Sequence, residues 1–472
     1  MSRTLSLPEC IQIALDHNLE VKIARFTPEI RRHNLASAYG VYEPSFEVAG
    51  THSYSASPGG RDEQQRPYPG TTTERDSFRA GISAFLPTGL RLNFGSDLSG
   101  TTGVNPFGPF ENANGDASIQ LRQPLLKNFW IDGTRLTIEV NKKQVQISEL
   151  ALRQEIMSTV TAVELAYYDL LLARERVKVQ EQALQLAERL LFATKRRVEA
   201  KVLARLDQRQ SESQLAARQA DLLGAQGSLV TQEYFLKQLL SGDFSEWEQV
   251  KIEPTDTLTA PPSELNRHES WKKGLTARPD MLQAQINLER QGIVLKFLHN
   301  QLFPQLDLVG SYGQIGFGRD YGDALAGIRR GDSPFYSFGA ILSIPLAGNR
   351  TARSNYRASK AERQQSLLAL KQLEQDIMIQ IGVAIEQAQT RFGQVASTKQ
   401  SRLFAEMALQ AEQRKLENGR TTSFVVLQLQ RDLTASRLAE LSALAEYNKA
   451  LAQLALREGT TLERNNLKLE IK

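Results

Sequence analysis

The 472-residue chain is short of the residues that usually do chemistry, with one cysteine and five histidines. Cys10 has no partner for an internal disulfide, so cysteine usage leaves the redox compartment open. Lipid attachment there fits poorly, because Leu7-Pro8-Glu9 lacks small residues before the thiol, and a half-buried helix position is expected instead. His17, His33, His52, His268 and His299 stand far apart, and none shares a metal-ligand spacing with another histidine or with Cys10. Phosphate-binding glycine loops, nucleophile elbows and paired catalytic carboxylates are equally absent at motif spacing. These absences argue against an enzyme, a cofactor and a metal centre.

Long apolar runs are also lacking. No stretch approaches the run of about eighteen apolar residues that a membrane-spanning helix needs, so any crossing would use β-strands. Met1-Ser2-Arg3-Thr4-Leu5-Ser6 leads into a helix almost at once, and no signal peptide is visible. Charge of one sign is not in surplus either. The 57 basic and 53 acidic residues leave a net +4 spread along the chain, which gives nucleic acid no basic patch to bind.

What the chain does have is internal repetition. Leu15-Asp16-His17-Asn18-Leu19-Glu20 aligns with Leu275-Thr276-Ala277-Arg278-Pro279-Asp280, and Pro44-Ser45-Phe46-Glu47-Val48 with Pro304-Gln305-Leu306-Asp307-Leu308, both at an offset of 260 residues. Arg196-Arg197-Val198-Glu199-Ala200 aligns with Arg414-Lys415-Leu416-Glu417-Asn418 at an offset of 218. Two tandem halves follow, residues 1–242 and 269–472, joined by a linker over 243–268 that carries Trp247, Pro254, Pro261 and Pro262.

Each half reads as helix, extended segment, very long helix, turn and helix. Helices are expected from Pro8 to Tyr42 and from Glu269 to Leu302, ended by Pro44 and Pro304. Phe46, Val48, Gly50, His52 and Tyr54 alternate with Glu47, Ala49, Thr51 and Ser53, the period of a strand with one apolar face. Phe78 to Leu86 and Tyr336 to Ile344 alternate likewise over about ten residues, enough for a tilted strand to cross a bilayer. A soluble sheet resting on a core shows the same alternation. The extended regions span about residues 44–124 and 304–345, with Ser57-Pro58-Gly59-Gly60-Arg61-Asp62 and Gly316 to Gly322 as exposed connections.

Proline is absent from about residue 134 to 200, and again from 351 to 418. At 1.5 Å per residue each tract makes a helix of about 100 Å, longer than a compact domain needs. Ile156, Val163, Leu170, Val177, Leu184, Leu191 and Val198 recur every seventh residue, beside a small or polar line at Thr159, Ala166, Ala173, Gln180, Ala187 and Thr194. Ile377, Ile381, Ala384, Ala388 and Val395 give the second half the same mixture. Shorter helices follow at about 203–240 and 422–457. Their apolar stripes are only partly covered within one chain, and closing the wall with sister copies would bury them. At the second turn Glu417-Asn418-Gly419 is a helix stop, whereas the first has Lys201 where the glycine falls and is expected to be tighter or more helical.

Leu5 to Leu15 with Asn18, Gln123-Pro124-Leu125-Leu126, and Glu417 to Gln428, recurring in order, resemble the TolC-type outer-membrane efflux proteins from about Leu5 to Glu458. The resemblance implies a mainly α fold with β: long coiled-coil hairpins, transmembrane antiparallel strands and two structural repeats. It implies a passive exit duct of a tripartite efflux or type I secretion system, a homotrimer in outer-membrane lipid with its helices in the periplasm and the linker as an equatorial collar. A periplasmic adaptor (membrane fusion protein) and an inner-membrane transporter are the implied partners. The alternative is a soluble coiled-coil scaffold without a pore. By carry-over the adaptor-docking tips are Val198, Lys201, Val202 and Leu203 with Gly419, Arg420, Thr421 and Ser423. The aperture is Asp207, Arg420, Val425 and Gln428: Thr421 stands where a basic partner for Asp207 is expected, and an acidic ring is replaced by Val425 and Gln428. Four strands per protomer are expected, the turn at Leu86-Pro87-Thr88-Gly89 leaving room for a further hairpin.

Overall fold

The computed structural model describes residues 2–346 and 348–467, so the tail of the second repeat, 468–472, lies outside the described residues. In chain order the first half contains β1 (Ser2–Leu5), α1 (Leu7–His17), α2 (Leu19–Tyr39), β2 (Ser45–Ser57), β3 (Gly60–Arg61), β4 (Pro67–Tyr68), β5 (Thr71–Phe85), β6 (Arg91–Asn105), β7 (Gly108–Pro124), α3 (Gly133–Glu199) and α4 (Arg205–Leu240). After β8 (Lys251–Pro254) come α5 (Arg267–Ala277), α6 (Pro279–Asn300), β9 (Gln305–Gly318), α7 (Tyr321–Arg330), β10 (Pro334–Ser343), α8 (Arg350–Glu417), α9 (Ser423–Glu458) and α10 (Thr461–Arg464). The chain clusters into two units: Met1–Glu29, Gln146–Gln285 and Leu368–Lys472 form one, Ile30–Val145 and Ile286–Leu367 the other.

The first unit is helical. The heptad line on α3 is its spine, with Ile156, Val163 and Leu170 at 1% exposure or less and the small line at Thr159, Ala173 and Ala187 equally inside. The most apolar window of α3 has the hydropathy of a spanning helix, but 67% of it is buried against other elements, which makes it a packed core helix. Cys10 is fully buried in the same cluster, deeper than expected, and burial pushes its thiol up to about 12. The linker enters this core too: Trp247, Val250 and Ile252 are buried, and β8 pairs in parallel with β1. The opening helix of each half is not continuous. Asn18 and Arg278 take extended ψ angles of 129° and 127° and divide α1 from α2 and α5 from α6. Asn18 Oδ1 accepts from the amides of Glu20 and Val21 at 2.8 and 3.1 Å, an N-cap that starts α2 afresh. The opening residues Ser2–Leu5 form a short strand, and the helix expected from about Pro8 follows at once as α1 from Leu7.

The second unit holds a six-stranded antiparallel sheet in the order β10-β9-β7-β6-β5-β2. The expectation of four strands is corrected: Leu92 and Phe94 lie in a real strand that starts just after Leu90, and β6–β7 adds a hairpin to the first half. Its entry turn is closed by Leu86 N–H to Leu90 O and Gly89 N–H to Leu86 O, both 2.8 Å, with Gly89 at φ +86°. The second extended region is corrected as well. It is interrupted by α7, started by Asp320, whose side chain accepts from Asp323 N at 2.9 Å, and stopped by Gly331 in the left-handed region. Gly316 and Gly318 are therefore not loop residues but close-approach positions: an ideal Cβ on Gly316 would lie 1.8 Å from Ala324 O.

Register sorts the sheet into two faces. Phe46, Ile82, Phe94, Ile119, Tyr312 and Tyr336 are successive partners across all six strands, and each side chain is at least one-third exposed. Phe338 is 85% exposed on the same side. The opposite side carries Arg79 joined to Asp97 at 2.6 Å, Ser99 bonded to Asn114 at 2.9 Å, and Arg122 on the buried Asp307 at 2.5 Å. The apolar face is thus not covered by the chain's own core, which is what a soluble sheet would require.

Candidate functional site: the hairpin tips and the polar sheet face

The two tips lie in the helical unit and share one backbone. At the first, Ala200, Lys201 and Val202 donate to Arg196 O, Val198 O and Arg197 O at 3.0, 3.0 and 2.8 Å. At the second, Asn418, Gly419 and Arg420 donate to Arg414 O, Leu416 O and Lys415 O at 3.2, 3.1 and 2.9 Å, the same positions 218 residues on. Both are left-handed helix stops, with φ +57° at Lys201 and +69° at Gly419. The expectation of a tighter or more helical first tip is corrected: Lys201 adopts the glycine conformation at a cost of about 1 kcal/mol or more. Among the described residues no hydrogen bond or ion pair of the Lys201 side chain explains why lysine stands there.

Around these turns Val202 is 70% exposed and Lys201, Gly419 and Arg420 are exposed, while Val198, Leu203 and Thr421 are half-buried. Ser423, 3% exposed as the first residue of α9, has its side chain turned away from solvent. Beneath them Leu409, Val426 and Leu433 form a small core with Leu190 and Leu416, so the tips are mounted on packed helices.

The aperture residues are placed as follows. Asp207 is half-buried at the third position of α4 and accepts from the Ala204 amide at 3.1 Å, capping its own helix. Among the described residues it makes no ion pair with Arg420. Thr421, which stands where a basic partner was sought, is hydrogen-bonded to Glu412; that bond and the one from Lys415 hold the Glu412 carboxyl below its ordinary range. Val425 and Gln428 are exposed on α9. Gln428, Phe424 and Arg431 line one side of a groove of about 710 Å³, with Gln210, Gln214 and Arg218 of α4 opposite.

Sequence reasoning missed Arg197, whose Nη1 donates to Leu416 O at 3.4 Å and ties the first tip to the last turn of α8. Its only signal was a basic residue in a final helical turn, the usual partner of exposed carbonyls. In the sheet unit, the polar face is the second candidate surface, a concavity of about 390 Å³ lined by Glu47, Arg75, Arg79, Asp97 and Asp116.

Comparison with known proteins decides the family. The model described as "Outer membrane efflux protein" matches residues 10–242 and 272–460, one segment per repeat. The chain belongs to the outer membrane efflux protein family. Within this family it is 26% identical over 355 residues to outer membrane efflux protein BepC of Brucella suis biovar 1 (strain 1330), covering 73% of this chain and 72% of that one. It is 23% identical over 300 residues to cation efflux system protein CusC of Escherichia coli (strain K12), covering 63% and 62%. Among solved structures, CusC superposes with a TM-score of 0.70 at 17% identity, over 96% of this chain and 92% of that one. The Campylobacter jejuni CmeC outer membrane channel gives 0.69 at 14%, over 98% and 90%. These likenesses fix the TolC-like fold of this efflux protein: helical hairpins, a strand sheet and two repeats.

Proposed function

We propose that the protein is the passive outer-membrane exit duct of a tripartite export system, working as a homotrimer and catalysing no reaction. The observation that carries this reading is the sheet: a six-strand row of exposed aromatic and aliphatic side chains on one face, charged and amide groups on the other, and outer edges of β2 and β10 that pair with no strand among the described residues. An open edge of ten or more residues with exposed Phe and Tyr is an aggregation site unless another copy pairs with it. Three copies, the number the family resemblance implies, join β2 to β10 at each seam into an eighteen-stranded barrel with its polar face around water. Exposed Leu19, Ile23 and Phe26, one stripe on α2, await the same neighbours.

In this reading the tips, Val198, Lys201, Val202 and Leu203 with Gly419, Arg420, Thr421 and Ser423, meet a periplasmic adaptor that links the duct to an inner-membrane transporter. Support comes from the exposure of Lys201, Val202, Gly419 and Arg420 at the two turns, whereas Val198, Leu203 and Thr421 are half-buried and Ser423 is buried beneath them. Asp207, Arg420, Val425 and Gln428 border the narrow end, and without an acidic ring the passage is expected to show weak preference for cations. The test pairs neighbours on one strand. Phe338→Lys places a cation against lipid at a cost of about 2–4 kcal/mol, and Ser337→Lys places it in the lumen at little cost. Equal stability of the two variants in bilayers, or a purified detergent-solubilised protein that is not a trimer and conducts no ions, sinks the proposal.

A further inference from the structure

The apolar face of the sheet has an upper limit. Its last apolar row is Phe78, Leu98, Gly115 and Gly316, register partners in turn with Gly50 at the edge. One row further, His52 faces Asp76 and bonds to it at 2.7 Å, and the next carries Glu74, Thr102 and Glu111 with the single exposed aromatic Tyr54 at the edge. Helix α7 lies on that boundary, on the apolar side. The Tyr321 ring stacks edge-on against Phe78 at 6.1 Å, Ile328 covers Gly115, and the helix backbone at Gly327 meets Gly316. A tyrosine hydroxyl above Gly100 and an oxygen of Ala324 above Gly316 fill space that any side chain would take. This is a built seat, on the face that carries Phe46 and Phe338 rather than the one that carries Arg79 and Asp97.

With Ala324 and Gly327 buried against the sheet, the opposite side of α7 presents Leu325, 49% exposed, and one turn on Arg329. Arg319, just before the helix, is also exposed. Among the described residues neither arginine has an ion-pair partner, whereas Arg330 is held by Asp332 at 2.8 Å. The carboxylate of Asp320 is committed to the Asp323 amide. An apolar residue beside free guanidinium groups, at the level where an apolar band gives way to polar rows, is the composition of a helix lying in a membrane interface.

We propose that α7 is an interfacial anchor: Leu325 rests at the acyl-chain boundary, and Arg319 and Arg329 bind the phosphates of anionic lipid headgroups around the outer rim of the barrel. The proposal rests on the sheet spanning the membrane, so its test needs a control for that. Arginine suits the occupant because its fork matches phosphate oxygens bidentately and stays charged at the surface.

The full chain is reconstituted into vesicles of phosphatidylcholine mixed with phosphatidylglycerol, with bromine on the acyl chains of one lipid or the other. Leu325→Trp reports from α7 and Phe338→Trp from the middle of the apolar band, each read as the difference from the parent with its three tryptophans. Both indoles are expected to be quenched. At position 325 quenching by the brominated anionic lipid should exceed that by brominated phosphatidylcholine severalfold, and Arg319→Gln with Arg329→Gln should abolish the excess. If the indole at 338 is quenched but that at 325 answers only to aqueous iodide, the anchor is overturned while the membrane-spanning reading stands. Equal quenching by both lipids with the arginines intact overturns the headgroup assignment. Failure of quenching at 338 overturns the membrane reading and the anchor with it.

Discussion

The two halves run the same backbone plan with different chemistry at matching places. At the first joint the polar atoms of Asn18 cap α2 and reach Leu239 O at 3.0 Å. At the second, Arg278 clamps Asp280 bidentately at 2.6 and 3.0 Å and also donates to Gln380 and to Arg457 O. Ala14, 1% exposed, sits in a cluster with Val163, whereas its counterpart Gly274 faces the larger Ile381, the counterpart of Val163. The second half thus carries less side-chain volume on α5 and more on α8 than the first carries at the matching places of α1 and α3. A duplicated fold therefore conserves where backbones go, and each copy finds its own way of satisfying them.

The joints offer the sharpest way to break this comparison. Arg278→Ala leaves the Asp280 carboxylate and the end of α9 without their partner and should cost about 3 kcal/mol, less than a fully buried pair because Asp280 is 30% exposed. Asn18→Ala should cost about 1–2 kcal/mol as a lost cap. Arg278→Asn, which copies the first joint into the second, should recover part of the loss in thermal unfolding; no recovery would mean that the joints are not interchangeable. The clamp also has a pH signature. Burial pushes the Asp280 carboxyl up, but the Arg278 hydrogen bonds and charge outweigh it and hold the group below its ordinary value of 3.8. A depressed carboxylate stabilises above that value and loses its contribution as pH falls through the folded pKa, so the difference between wild type and Asp280→Asn should shrink on acidification below about pH 4.

The size exchange predicts a smaller, conditional effect. An ideal Cβ on Gly274 would stand 2.4 Å from Ile381 Cδ1, the free end of a flexible side chain. Gly274→Ala should destabilise by about 1–3 kcal/mol. Ile381→Val alone should cost about 1 kcal/mol as a cavity. Together they reproduce the Ala14 and Val163 pair and should cost less than their sum by about 1 kcal/mol or more, a coupling that a double-mutant cycle reads directly. Strict additivity would show that the two sites do not compensate each other.

How much of this was legible depended on whether the determining forces were local. The bounds of α3, α4, α8 and α9 could be read to within about two residues, because a seven-residue apolar period without proline leaves the chain no other regular structure. The β6–β7 hairpin was harder. Ser99-Gly100-Thr101-Thr102-Gly103 resembles a loop by composition and is a strand only because β5 and β7 pair with it on either side. For α7 the glycines at 316, 318 and 322 spoke for a turn, when two of them serve a helix approaching from above. At the tips the sequence marked the two turns but not the contacts made around them. Arg197 meets Leu416 across 219 residues, which spacing does not reveal.

The smallest expected effect tests the tips themselves. Lys201 and Gly419 close the same hydrogen-bonded turn with nearly equal positive φ, yet only glycine takes that conformation without steric cost. Lys201→Gly should therefore stabilise the first tip by up to about 1 kcal/mol, offset in part by the extra freedom of glycine in the unfolded chain. Gly419→Ala should destabilise the second by about 1 kcal/mol, although no atom lies within 4 Å of an added Cβ, because the penalty is in the backbone and not in a clash. Amide exchange at Val202 and Arg420, equivalent donors in the two turns, reads both changes at the site rather than through global unfolding. Opposite shifts at the two tips would show that lysine is tolerated there against the local energy. A Lys201→Gly tip that exchanges faster than the parent would mean that the lysine stem itself braces the turn.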